Sequence, residues 1–93
     1  MEQLFKEVFG KAKTIVGVTA IDASADTIVV NGRGITFVNV SGNIWINPNA
    51  TAVANATAFK LVAEDTIELL VSGNLSIISD GSGGTYQYII WDV

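Results

Sequence analysis

From Thr14 onward the chain is written in short β-branched and aromatic runs separated by turn residues, and that alternation leaves few folds open. The runs are TIVGVTAI (14–21), DTIVV (26–30), GITFVNV (34–40), NIWIN (43–47), AFKLVA (58–63), TIELLV (66–71), LSIIS (75–79) and TYQYIIW (85–91). NGRG, SGN, a second SGN and DGSGG stand between them, and each is turn chemistry. No stretch between the runs has a helical period, so the crossover helices that a parallel sheet needs are missing. Eight short strands at near-regular spacing predict an all-β domain, an antiparallel β-sandwich or jelly-roll-like barrel.

The first thirteen residues differ. Leu4 with Val8 and Phe5 with Phe9 are i,i+4 pairs, and Gln3, Lys6, Glu7 and Lys11 supply a polar remainder, so residues 2–12 read as a short amphipathic helix weakened near its end by Gly10. Three turns are marginal alone, so this helix must dock on something. The organisation expected is an N-terminal arm over 1–13 and a sandwich domain over 14–93. The charges in MEQLFKEVFGKAK separate its apolar pairs, which argues against a signal peptide or a membrane span.

The same four residues, VSGN, occur at 40–43 and 71–74. If Ser72-Gly73-Asn74 is a three-residue hairpin loop, Val71 faces Leu75, Leu69 faces Ile77 and Ile67 faces Ser79, which keeps most apolar residues on one face. A two-residue loop would mix the faces. The same treatment at Ser41-Gly42-Asn43 pairs Val40 with Ile44 and Val38 with Ile46, with Asn in the left-handed position. The repeat therefore reads as a hairpin used twice. Asn39 shares a strand face with Ile35 and Phe37 and in this register lies opposite Trp45. A buried amide needs partners, so its role is read as structural, bonded to the backbone of an adjoining loop.

NPNATAVANATA (47–58) holds the only Pro and reads as a long connection, either a contact loop or a crossover between sheets. Charged residues are 15% of the 93 and hydrophobic ones 49%, against about 25% charged in a typical domain. Some apolar surface should therefore meet another chain. Leu70, Ile78 and Trp91, on the second faces of their strands, are the candidates within the sandwich. Leu4, Phe5, Val8 and Phe9 are those in the arm. A homo-oligomer, most simply a trimer, is expected.

The chemistry of the chain is sparse. It has no Cys and no His, which removes thiolates, the usual general base and the commonest metal ligand. Neither a catalytic residue nor a metal or cofactor site is expected. Glu64, Asp65 and Glu68 lack the alternating oxygens of a calcium loop. DGSGG has no Lys-Ser/Thr and precedes a strand, so it does not cradle phosphate. After Lys13 the chain carries two positive and seven negative residues, which would repel nucleic acid. Four N-x-S/T triplets, at Asn39, Asn49, Asn55 and Asn74, are what alternating Asn and Ser/Thr produce in polar turns. Trp45, Tyr86, Tyr88 and Trp91 could form a sugar-stacking platform, but aromatics serve core and interface equally.

Arg33-Gly34-Ile35-Thr36-Phe37-Val38-Asn39-Val40-Ser41, followed by Ile44-Trp45-Ile46, resembles the R-x-G-[LI]-T-[IV]-x-N-x-S…[VI]-x-[VI] pattern of small tailed-bacteriophage virion proteins, with Arg33 directly before Gly34. Phe59-Lys60-Leu61, the turn at Glu64-Asp65 and Ile67-Glu68-Leu69 are similar to that family's F-x-L-x-x-G-[ED]-x-[IV]-x-[LI] segment, with Ala63-Glu64 where a Gly is common. Leu75–Ser79 and Thr85–Trp91 are similar to its closing strands. The resemblance covers about residues 27 to 91 and leaves out the arm. It implies a β-sandwich accessory protein of the virion that decorates or cements the head, often as a trimer. The major capsid protein or other virion proteins would be its partners. The alternative is a tail or fibre module in which the 47–58 loop or the aromatics recognise a host surface glycan.

Overall fold

The computed structural model describes residues 12–55 and 58–92, and every regular element among them is a strand. The strands are β1 (Ala12–Ile21), β2 (Asp26–Val30), β3 (Gly34–Ser41), β4 (Ile44–Asn47), β5 (Phe59–Leu61), β6 (Thr66–Leu69), β7 (Gly73–Ser79) and β8 (Gly84–Trp91). All eight fall on runs visible in the sequence. The helix expected over residues 2–12 lies outside the described residues except for Ala12. That residue and Lys13 already belong to β1, so the sandwich begins two residues earlier than the expected boundary.

Two four-stranded antiparallel sheets face each other, a front sheet ordered β1-β8-β3-β6 and a back sheet ordered β2-β7-β4-β5. They remain separate sheets and do not close into a barrel, so of the two forms expected the sandwich is the one found. The pairs β1·β8, β2·β7, β3·β6 and β4·β5 are all neighbours. The chain is thus one long hairpin, bent between β4 and β5 and then rolled so that successive pairs fall alternately in the two sheets. Only the β4–β5 connection stays within a sheet; the others pass from one sheet to the other. The 48–58 segment is therefore a within-sheet loop and not a crossover.

Period-2 alternation places Ile28, Val30, Ile35, Phe37, Ile44, Ile46, Leu61, Leu75, Ile77, Tyr86 and Ile90 between the sheets, where they form the core. Phe37 and Tyr86 stack there with ring centroids 5.3 Å apart. Each fully buried aliphatic side chain contributes about 1.5–3 kcal/mol.

Both VSGN copies are corners between the sheets, which overturns the hairpin reading. β3 lies in the front sheet and β4 in the back one, so Val40 does not face Ile44, nor Val38 Ile46. Likewise Leu69 pairs with Ile35 and Ile67 with Phe37, while Leu75 pairs with Ile28 and Ser79 with Ile44. The left-handed residue in each copy is the glycine, Gly42 at φ 76° and Gly73 at φ 101°, not the asparagine. At Gly42 the backbone must also pass close to the DGSGG loop: a methyl there would lie 2.3 Å from Gly83 O and 2.9 Å from Gly84 Cα. The glycines of DGSGG thus serve backbone-to-backbone packing.

Candidate functional surfaces

Asn39 is fully buried on the inward face of β3. Its Nδ2 donates to Gly42 O at 2.8 Å and to Leu61 O at 2.9 Å. The first bond closes the corner after β3, and the second reaches a strand of the opposite sheet. Its own N–H donates to Asp65 O (2.9 Å), and its carbonyl accepts from Glu64 N (2.6 Å). One residue therefore ties two sheets and two turns, although Oδ1 is buried without a hydrogen-bond partner. Its neighbour across the ladder is Tyr86 in β8, and Trp45, the partner expected from sequence, lies in the other sheet.

The acidic turn is structural in the same way. Asp65 Oδ2 accepts from Val62 N at 2.9 Å, and Glu64 holds φ 73°, a left-handed conformation that a glycine would take without penalty. Among the described residues no three acidic side chains are grouped to hold a metal ion. In the DGSGG loop Asp80 accepts from the Ser82 hydroxyl and backbone N–H and from Asn43 Nδ2. The Ser82 bonds, chiefly the hydroxyl's, hold the Asp80 carboxyl below the ordinary aspartate value.

The aromatic platform does not exist as a surface. Trp45, Tyr86 and Trp91 are 3%, 5% and 8% exposed, and Tyr88 packs against the core. Trp45 lies on the outer face of the back sheet between Ile78 and Lys60 in the register, with the Lys60 ammonium 5.7 Å from its ring centroid. Trp91 lies on the outer face of the front sheet, where its Nε1 donates to Thr36 Oγ1 at 2.9 Å.

The three sandwich residues singled out for an interface are not brought together. Ile78 is half-buried on the back sheet, Trp91 is on the front sheet, and Leu70, 74% exposed, lies one residue beyond β6. Leu70 follows Leu69, the partner of Ile35, and Gly34 beside Ile35 faces Trp91, so Leu70 and Trp91 share one end of the front sheet. The four arm residues Leu4, Phe5, Val8 and Phe9 lie outside the described residues. Lys13, the last residue of the expected arm, bonds through Nζ to Asn31 O at 2.7 Å.

Two surface features take shape only in the structure, one of them beside the 47–58 segment that the sequence offered as a contact loop or a crossover. On the outer face of the front sheet, Ile15, Val38 and Ile89 line a shallow apolar groove of about 150 Å³ over β8. Ile15 pairs with Ile89 and is 71% exposed. On the back sheet, the segment after β4 stands over β2 and β7 and encloses a polar cleft of about 430 Å³. The groove was legible in principle, because the run TIVGV carries aliphatic residues on both faces. The cleft needed the fold of the loop. A scan against models of known protein families finds no match to the chain, and a comparison with curated proteins finds none.

Proposed function

We propose that this chain is a structural protein of a bacteriophage particle, a decoration or cement subunit that binds the assembled head as an oligomer, most simply a trimer. The observation that carries the reading is the apolar groove on the outer face of the front sheet, where Ile15, Val38 and Ile89 lie beside Thr36 and Gln87, with exposed Leu70 at the end of that sheet. A specific interface buries roughly 1,000 Å² or more, and a four-stranded face supplies that scale. Two further features favour it. The strand order β1-β8-β3-β6 over β2-β7-β4-β5 is that of a jelly roll, a winding common in viral capsid and lectin domains. The sequence from Arg33 to Trp91 also resembles small virion proteins. A winding by itself assigns no function; the apolar groove, with Ile15 71% exposed beside it, gives this one a physical reason.

In this reading the major capsid protein is the partner, and no chemistry is required of the subunit. A protein that binds the assembled lattice and not its free subunits adds its binding free energy to the assembled state alone. The arm's Leu4, Phe5, Val8 and Phe9 would supply apolar contacts, with Lys6 and Lys11 against an acidic head surface. Immunogold labelling of purified particles, with antibody raised against the recombinant protein, tests the reading. Label distributed over heads supports it, label confined to tails supports a tail component, and unlabelled particles overturn it. Deletion of residues 1–11, stopping before the Ala12–Trp91 pair, should leave a folded sandwich that no longer associates with heads. Undiminished association removes the arm from the interface.

A further inference from the structure

The polar cleft on the back sheet has a floor and a wall of different origin. Its floor is the outward row of β2 and β7: Thr27 directly opposite Ser76, with Asn74 one step along the same face beside Val29. The wall is Pro48, Asn49, Ala50 and Thr51. That wall is built and anchored. Asn47 Oδ1 accepts from the N–H groups of Asn49 (2.8 Å) and Ala50 (3.1 Å), which bends the chain as it leaves β4. Ala52 then donates its N–H to Ser76 Oγ at 2.9 Å and is itself buried. The loop is thereby fastened to the floor of the cleft it encloses.

The lining chemistry is narrow. Ala25, Thr27, Pro48, Asn49, Ala50, Thr51, Asn74 and Ser76 include no ionisable side chain and no large apolar one. Among the described residues, the side chains of Thr27, Asn49, Thr51 and Asn74 make no hydrogen bond within the protein, so their hydroxyls and amides face the cleft's solvent unspent. Ser76 Oγ accepts from the loop and retains its own proton to donate.

We infer that this cleft is a binding site for a neutral saccharide. Amides and hydroxyls set a few ångströms apart match the vicinal hydroxyls of a pyranose in both donor and acceptor capacity, and Ala25, Pro48 and Ala50 offer small apolar contacts to its C–H groups. A volume near 430 Å³ lies within the range of small-molecule sites, roughly 300–1,000 Å³. Among the described lining residues an anionic ligand finds no cation, and an apolar one finds no large apolar side chain. A peptide adding as a strand would pair along the outer edge of β2 rather than in the cleft, where β2 and β7 are paired to each other and present side chains. With no aromatic ring among the described lining residues, affinity should fall in the ~millimolar range that a few exposed hydrogen bonds support. The inference stands apart from the head-decoration reading, because it uses the opposite sheet.

Saturation-transfer NMR on the whole protein tests it, using neutral disaccharides of glucose, galactose, mannose and N-acetylglucosamine, with a glucuronate-containing disaccharide as the charged comparison. Transfer to at least one neutral sugar is expected, equally strong at low and high salt. The Asn49→Ala/Asn74→Ala double variant should weaken it roughly tenfold, with Tm unchanged because neither side chain bonds internally. Lys60→Ala, on the same sheet but outside the lining, should leave it intact. No transfer to any neutral sugar, preference for the charged one, or equal transfer in the double variant would overturn the assignment. Particle labelling is read separately, so either conclusion can fail without the other.

Discussion

Glu64 occupies φ 73°, where a β-carbon costs about 1–2 kcal/mol. Glu64→Gly removes that cost but returns part of it through the freer unfolded chain. A net gain of about 0.5–1 kcal/mol is expected, visible as a Tm a few degrees higher by circular dichroism; a lower Tm would mean that the Glu64 side chain contributes more than its backbone strain. Asn39→Ala works the other way. It strips the donor from the Gly42 and Leu61 carbonyls, and a buried group left unpaired costs about 1–3 kcal/mol. Loss of the already unpaired Oδ1 offsets a fraction, so a net loss of about 2–4 kcal/mol is expected. Particle binding should return once the folded fraction is matched to the parent, and lost binding at unchanged Tm would make Asn39 a contact residue. That Asn39 points inward was legible from its parity with Ile35 and Phe37. Its long-range partner Leu61 was not, because nothing local encodes which strand passes beneath it.

At the scale of elements, the two VSGN corners offer an internal comparison. Gly42 is confined twice, by φ 76° and by Gly83 O lying 2.3 Å from where a methyl would sit; Gly73, at φ 101°, has nothing within 4 Å. Gly73→Ala should therefore cost strain alone, about 1–3 kcal/mol, and Gly42→Ala visibly more in urea unfolding, since two backbones would have to separate. Equal losses would mean that the corner and the DGSGG loop move apart freely. In that loop Asp80 titrates below the ordinary aspartate value because of the Ser82 bonds. The sign follows: its contribution to stability is full above the unfolded-state pKa and is lost as pH falls through the lower folded one. Carbon-13 titration should place Asp80 below a free aspartate, and Ser82→Ala should raise it. The strands themselves were legible because β-branched runs and turn residues are local signals. Their pairing was not. Keeping apolar residues on one face is satisfied equally by two strands side by side and by two strands facing one core from opposite sheets. A three-residue SGN therefore reads as a hairpin when it is a corner.

At the scale of the molecule, the proposed assembly predicts that the whole protein sediments as an oligomer at tens of micromolar. Ile15→Asp, which places a charge on an outward residue of the front face, should shift it toward monomer by roughly tenfold or more in Kd without lowering the monomer's Tm. A monomeric parent would remove the basis for the trimer. The rolled hairpin also predicts an order of events in time. Joining β4 to β5 closes the shortest stretch of chain; that closure shortens the path between β3 and β6, and so outward until β1 meets β8. Each step meets an entropy cost already reduced by the one before, whereas β1·β8 pairing first would have to close nearly the whole chain. Folding should accordingly take milliseconds to seconds, as for other topologies dominated by distant pairings. Ile46→Val, in β4, should slow folding, while Ile21→Val, in β1, should leave that rate alone and hasten unfolding. The outermost pair, which joins the described start of the chain to its end, is then the last to form and the first to open.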